Sequence, residues 1–359
     1  MPDSLTRIIK RNCDISDARD NGIYSICILV LKLRNLYKWE KGLEPWEEPE
    51  SHAVLDWIDT RESCWKTLLG DDYARLSVNG KALDPFDIRS VNESLSKGKQ
   101  LYGAGYGRSL KAVFFLAEIL EERRVEDYQV FILGHEEARE LASPFAMSQD
   151  GVIYLRRESL RFFFWDHLQE ARPSAKAAIQ HALKLYGVLD RDDHLDRDSL
   201  KNTFDYLVDE EMEPLIYHEI GEIKEKEVSG DISRRLIRDY PDSLIEFFSR
   251  ALKDVLADTH EKGMLSYILR TRKETSLAFY ISFLSGIRRM LAPELLDAFD
   301  HFLIDRNWDR IEEARSVSRE NNLIRARKLA EIVGNSDAPG EITRQKIEQE
   351  LLAPLGLMH

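Results

Sequence analysis

The β-rich runs of this chain stop at Leu155. Beyond Pro173 the apolar residues recur at helical spacing almost to the C-terminus. A chain divided in this way is expected to be α+β and predominantly helical. Its N-terminal half should carry a small few-stranded sheet and its C-terminal half should be all-helical. The runs at 112–117 and 128–133 read as strands, paired as a hairpin unless 117–124 turns helical. Residues 151–156 give a third strand, and a helix follows from Glu158. Arg172-Pro173-Ser174 breaks the chain, so the expected domains are 1–171 and 174–359.

Within the first half, Ser16 is placed to cap a helix running to about Trp39, which Gly22 weakens or splits. Residues 23–31 are apolar on nearly every side, so they read as a buried central helix with Cys27 inside it. Cys13 is expected outside that helix, and the neighbouring Asp14 would raise its pKa rather than activate it. A second helix should start at Ser51 with Leu55, Ile58, Trp65 and Leu68 inward. Asn79-Gly80 between short apolar runs signals a hairpin. The glycines of Gly103-Ala104-Gly105-Tyr106-Gly107-Arg108 look like a phosphate loop and fail the template. Arg108 stands where the dinucleotide pattern needs glycine, and no Gly-Lys-Ser/Thr follows. They read as a flexible turn, and 135–142 as a short helix.

Composition limits the function classes. Of 359 residues, 43% are apolar and 32% charged, which is globular rather than disordered. The formal charge of -13 argues against nucleic acid and anionic membrane surfaces as partners. Three cysteines make no disulfide framework, so a reducing, cytoplasmic setting is expected. The apolar run at 23–31 is too short to cross a bilayer.

The stretch with the strongest look of chemistry is Tyr217-His218-Glu219-Ile220-Gly221-Glu222. On a helix, His218 and Glu222 stand one turn apart, and Glu219 falls in the middle of the apolar stripe. A carboxylate there must be exposed, paired, protonated or metal-bound, because an unpaired buried charge is costly. The zinc-protease helix has a second histidine where this chain has Glu222. Imidazole plus carboxylate still suits zinc or iron, so a divalent metal is one reading. An ion pair with a neighbouring helix is the other. Asp258 sits on the rim of another apolar helix face. If the two helices pack together, His218, Glu219, Glu222 and Asp258 converge, and their carboxylates share a cation or pair with Arg234, Arg235 or Arg238. The alternate aspartates of 190–198 lack the glycine and glutamate of a calcium loop and read as a solvated linker.

Several segments together resemble a bacterial family of unknown function. They are Asn12-Cys13-Asp14 with Ser16-Asp17-Ala18, Tyr37-Lys38-Trp39-Glu40 with Pro45-Trp46-Glu47-Glu48, Phe114 to Glu118, Tyr217 to Glu222, and Leu256-Ala257-Asp258-Thr259. They spread over the whole chain, so the resemblance is full length, and it implies no activity or ligand. Two functions stay open. The first is a helical interaction or scaffold protein, whose partner is another protein. The second is a metal-dependent enzyme, for example a hydrolase, using the four residues above. Whether the chain is an enzyme is left open by the sequence.

Overall fold

The computed structural model describes residues 4–95, 99–169, 173–228, 230–334 and 340–358. The chain divides into two compact units, Met1–Gln169 and Glu170–His359. Of the break expected at Arg172-Pro173-Ser174, Arg172 lies outside the described residues and Pro173–Ala175 form a 3-10 turn.

The first unit begins with α1 (Ser4–Asp20), α2 (Ile26–Glu40) and α3 (Ser51–Leu68). A hairpin of β1 (Leu76–Val78) and β2 (Lys81–Leu83) follows, with Asn79 and Gly80 both at positive φ, as a two-residue turn requires. After α4 (Ile88–Ser94) come β3 (Gln100–Tyr106), β4 (Ala112–Val125), β5 (Tyr128–Ala138), β6 (Ala146–Gln149) and β7 (Val152–Arg156). These five form one sheet in the order β3-β4-β5-β7-β6. All its pairings are antiparallel except β5 with β7. α5 (Arg157–Gln169) closes the unit.

Polar residues of α1 bond the sheet and hairpin backbone directly. Ser16 Oγ donates to Ala112 O at 2.5 Å, and Asn12 exchanges two hydrogen bonds with Ala74. The apolar side chains Leu5 and Ile9 pack on Tyr102, Phe114 and Leu116. On the other sheet face Phe115 packs with Leu101, Val113 and Tyr154. Strand β3 and residues 112–117 of β4 are thereby buried on both faces.

Four expectations are corrected here. The first helix starts at Ser4, so Ser16 is an interior residue bonded to the sheet, not a cap. Cys13 lies in that helix, is 3% exposed, and donates to Phe114 O at 3.2 Å. The glycine-rich stretch is strand β3 rather than a turn. A Cβ on Gly103 would stand 2.0 Å from the Phe115 ring, so glycine is what admits the ring across the strands. Residues 135–138 continue strand β5 instead of starting a helix.

The helix starting at Ile26 is the fifth departure. Leu33 and Leu36 pack with Trp65 and Leu68, and Leu29 packs against their cluster, but much of the first turn stands in solvent. Ile26 is 81% exposed, Val30 51% and Ile28 43%, and Cys27 is exposed too. Apolar residues on all sides of a helix mark burial only if something surrounds it. Leu55 on α3 also faces outward.

The second unit is helical. It holds α6 (Lys176–Leu185), α7 (Arg197–Glu210), α8 (Met212–Lys224), α9 (Gly230–Asp239), α10 (Leu244–Thr259) and α11 (Met264–Thr271). α12 (Glu274–Phe283), α13 (Gly286–Leu291), α14 (Pro293–Asp305), α15 (Trp308–Gly334) and α16 (Gly340–Ile347) complete it. Among its described residues the only β pairing is an isolated bridge between Leu189 and Leu195. That bridge clips the acidic loop together at its base. At its tip, residues 190–194 are exposed. Among the described residues no helix is long and apolar enough to cross a membrane.

Candidate functional site

The cluster is built where α8 lies against α10. Ser243 caps α10 by accepting the Glu246 N–H at 3.3 Å. The helix then buries Phe248, Leu252, Val255 and Leu256 on one face. Pro214 falls in the first turn of α8, where a missing N–H is harmless. Ile216 and Ile220 are fully buried, and Gly221 sets how near the helices come. A Cβ on Gly221 would stand 2.2 Å from Ala257 O. Without it, the backbone of α8 rests on that of α10 one residue before Asp258.

That approach brings His218 to Asp258. His218 Nδ1 is 2.6 Å from Asp258 Oδ1. Asp258 is fully buried and the His218 side chain is 19% exposed. The donor atoms of His218, Glu219 and Glu222 all lie within 4.8 Å of one another. Glu219 is 4% exposed, as its place in the apolar stripe implied. So the four residues singled out in the sequence share one cluster, with Asp258 joined to it through the imidazole Nδ1.

The cations that meet them are not the ones expected. Arg234 pairs with Asp231, Arg238 with Asp239, and Arg235 donates to Val333 O. The partner of Asp258 is Arg288 on α13, whose Nη2 donates to Oδ2 at 3.0 Å. Lys253 on α10 donates to Glu222 Oε1. Arg288 Nε also stands 4.0 Å from Asp254. The packing of α13 on α10 brings Arg288 to Asp258. Lys253, Asp254 and Asp258 share the α10 face at helical spacing, which is the one signal the sequence held for them.

Charge compensation sets the chemistry. Burial alone would lower the pKa of His218, but the Asp258 charge and hydrogen bond outweigh it and push it up to about 10. Burial raises Glu222, and Lys253 with His218 more than reverses this, leaving it below its ordinary value. Burial lifts Asp254, against the pull of Arg288. The Tyr280 hydroxyl is pushed well above its usual range by burial, and the nearby Asp258 charge adds to that. An imidazolium, a lysine and an arginine therefore face four carboxylates.

Residues 4–156 match the N-terminal domain, and 161–352 the C-terminal domain, of a family of unknown function (DUF6866). The chain belongs to that family. No curated protein and no solved structure matches it significantly. DUF6866 supplies no activity or ligand to the site, so its chemistry rests on the geometry above.

Proposed function

We propose that this chain is a helical interaction protein and that the projecting start of α2 is its contact surface. The supporting observation is the exposure of Ile26, Ile28 and Val30 around the first turn of one helix. An apolar helix end of this kind is normally covered, and on a folded protein it marks a contact with another protein. The His218 cluster agrees with a non-catalytic reading, because its carboxylates already face cations held by the fold. The test compares wild type with Ile26→Ser/Val30→Ser by light scattering and by quantitative co-purification. Wild type should associate, with itself or with a stoichiometric protein partner. The double variant should lose that association while its unfolding midpoint stays put, since exposed substitutions change stability by only about 0.5 kcal/mol. A variant that keeps every wild-type association ends the proposal.

One observation favours a second reading, a metal-dependent enzyme. With Nδ1 held by Asp258, Nε2 is the ligand atom His218 has left, and a ring nitrogen of His218 and the carboxylates of Glu219 and Glu222 offer atoms within 4.8 Å of one another. A carboxylate behind a metal-bound histidine is a recurring arrangement. A divalent cation there would activate water for hydrolysis. Two features oppose it: the imidazole proton must leave before the ring can ligate, and Lys253 competes for Glu222. Elemental analysis of wild type and His218→Ala separates the readings. Stoichiometric metal in wild type that is lost in the variant establishes the site. Equal, substoichiometric metal in both leaves the ion-pair network alone.

A further inference from the structure

The first unit contains a cavity of about 240 Å³ between α1, α2 and α3. Its lining is charged: Asp14, Asp17 and Glu40 against Lys10, Arg61 and Arg139, with the Trp39 ring among them. The acids are answered from within the protein. Arg61 donates to Asp14 at 2.5 Å and also to Glu40. Asp17, 1% exposed, accepts from Lys111 at 2.6 Å and from the Leu141 N–H at 3.0 Å.

Two of the bases are not answered in this way. Arg139 is only 7% exposed, yet its Nε and Nη1 make no hydrogen bond among the described residues. Nη1 stands 3.4 Å from Glu136 Oε2. That carboxylate is already engaged by Arg156 Nε at 2.5 Å and by Ser159 Oγ. Lys10 is exposed and has no carboxylate within ion-pair distance among the described residues. Both cations lie over the same ring: Arg139 is 5.6 Å and Lys10 5.7 Å from the Trp39 centroid.

We propose that this cavity binds a small organic anion, its acid group between Arg139 and Lys10 and its apolar part against Trp39 and Leu36. A buried guanidinium whose nearest acceptor is the already engaged Glu136 carboxylate is costly, and a carboxylate or phosphate in the cavity that Arg139 lines supplies a charge to answer it. Burial pushes the Arg139 pKa down against the pull of Glu136, and the Arg156 charge adds to that push; a bound anion opposes both. The size fits a single-ring acid, since the volume equals roughly eight waters at about 30 Å³ each. A cationic ligand is disfavoured, because the acids of the lining are already paired with Arg61 and Lys111.

The test titrates the full chain by calorimetry with benzoate and, in a separate arm, phenyl phosphate. Benzyl alcohol and benzylamine are the neutral and cationic controls. At least one anion should bind, more weakly as salt is added, and neither control should. Which anion binds tells a carboxylate ligand from a phosphate one. Arg139→Gln should abolish binding. Lys10→Gln should weaken it about three-fold, the size expected for one exposed charge. Lys10 is at the surface, so its variant keeps the fold and carries the test if Arg139→Gln does not fold. The proposal is overturned if neither anion binds up to about 10 mM, a weak-binding limit. It is equally overturned if benzyl alcohol binds as well as benzoate, or if Lys10→Gln binds as wild type does.

Discussion

Asp258 decides the charge on His218, and that makes the pair visible in a stability profile. The ordinary histidine value is 6.5, and the folded value is pushed up to about 10. The native state therefore holds this proton more tightly than the unfolded chain does. The stabilisation is complete below pH 6.5 and is lost as pH rises from there to about 10. We expect stability from denaturant unfolding to fall over that window by on the order of 5 kcal/mol. His218→Gln should lack this component. Lys32 in the other unit is pushed down to about 8 by burial and gives a slope of opposite sign above that pH. It does so in both proteins, so the difference between the two profiles carries the test. Parallel profiles would mean that the pair contributes nothing. In the sequence, the grouping of His218, Glu219 and Glu222 was legible because helical spacing alone imposes it. Asp258 was legible only as a carboxylate on the rim of an apolar face. Its partner Arg288 was not, because nothing in a row of arginines says which one a neighbouring helix will turn inward.

The elements depend on glycine at positions where the pattern showed only a small residue. An interior helical glycine ordinarily costs about 1 kcal/mol relative to alanine. Gly221 reverses that preference, since an added Cβ meets Ala257 O at 2.2 Å and Gly263 Cα at 3.1 Å. Both are backbone atoms and cannot swing aside. Gly221→Ala should therefore destabilise the second unit by about 2 kcal/mol or more, in the upper range for overpacking. By parting α8 from α10 it should also return the His218 titration, followed by NMR, toward 6.5. An unchanged stability and an unchanged titration would show that the contact between the helices is not tight. The strand at Gly103 shows the same limit on sequence reading. Period-2 alternation finds strands that have one wet face, whereas β3 is buried on both and carries Gly103 to admit Phe115. For α2 the error ran the other way. An apolar pattern reports what a helix is made of, and the solvent around Ile26 is a property of where the helix ends up.

On the scale of the whole molecule, the units have separate cores and opposite characters. The first packs α1 on one face of a five-stranded sheet whose other face is covered by the sheet's own side chains, and the regular elements of the second are helices among its described residues. The two family matches divide between 156 and 161, at the start of α5 and ahead of the boundary between the units after Gln169. Each unit is longer than the roughly 100–150 residues typical of a domain, enough chain to bury a core of its own. Fragments 1–171 and 174–359 are therefore expected to fold separately, each with a cooperative thermal transition. The circular dichroism of the second should be helical with no sheet component, and the two spectra, weighted by length, should add to that of the full chain. A fragment that melts without cooperativity, or a sum that falls well short of the full-chain helix signal, would show that one unit needs the other to fold. The pH-dependent loss of stability assigned to His218 must then appear in fragment 174–359 alone. If it appeared in fragment 1–171, its source would be a group other than the His218–Asp258 pair.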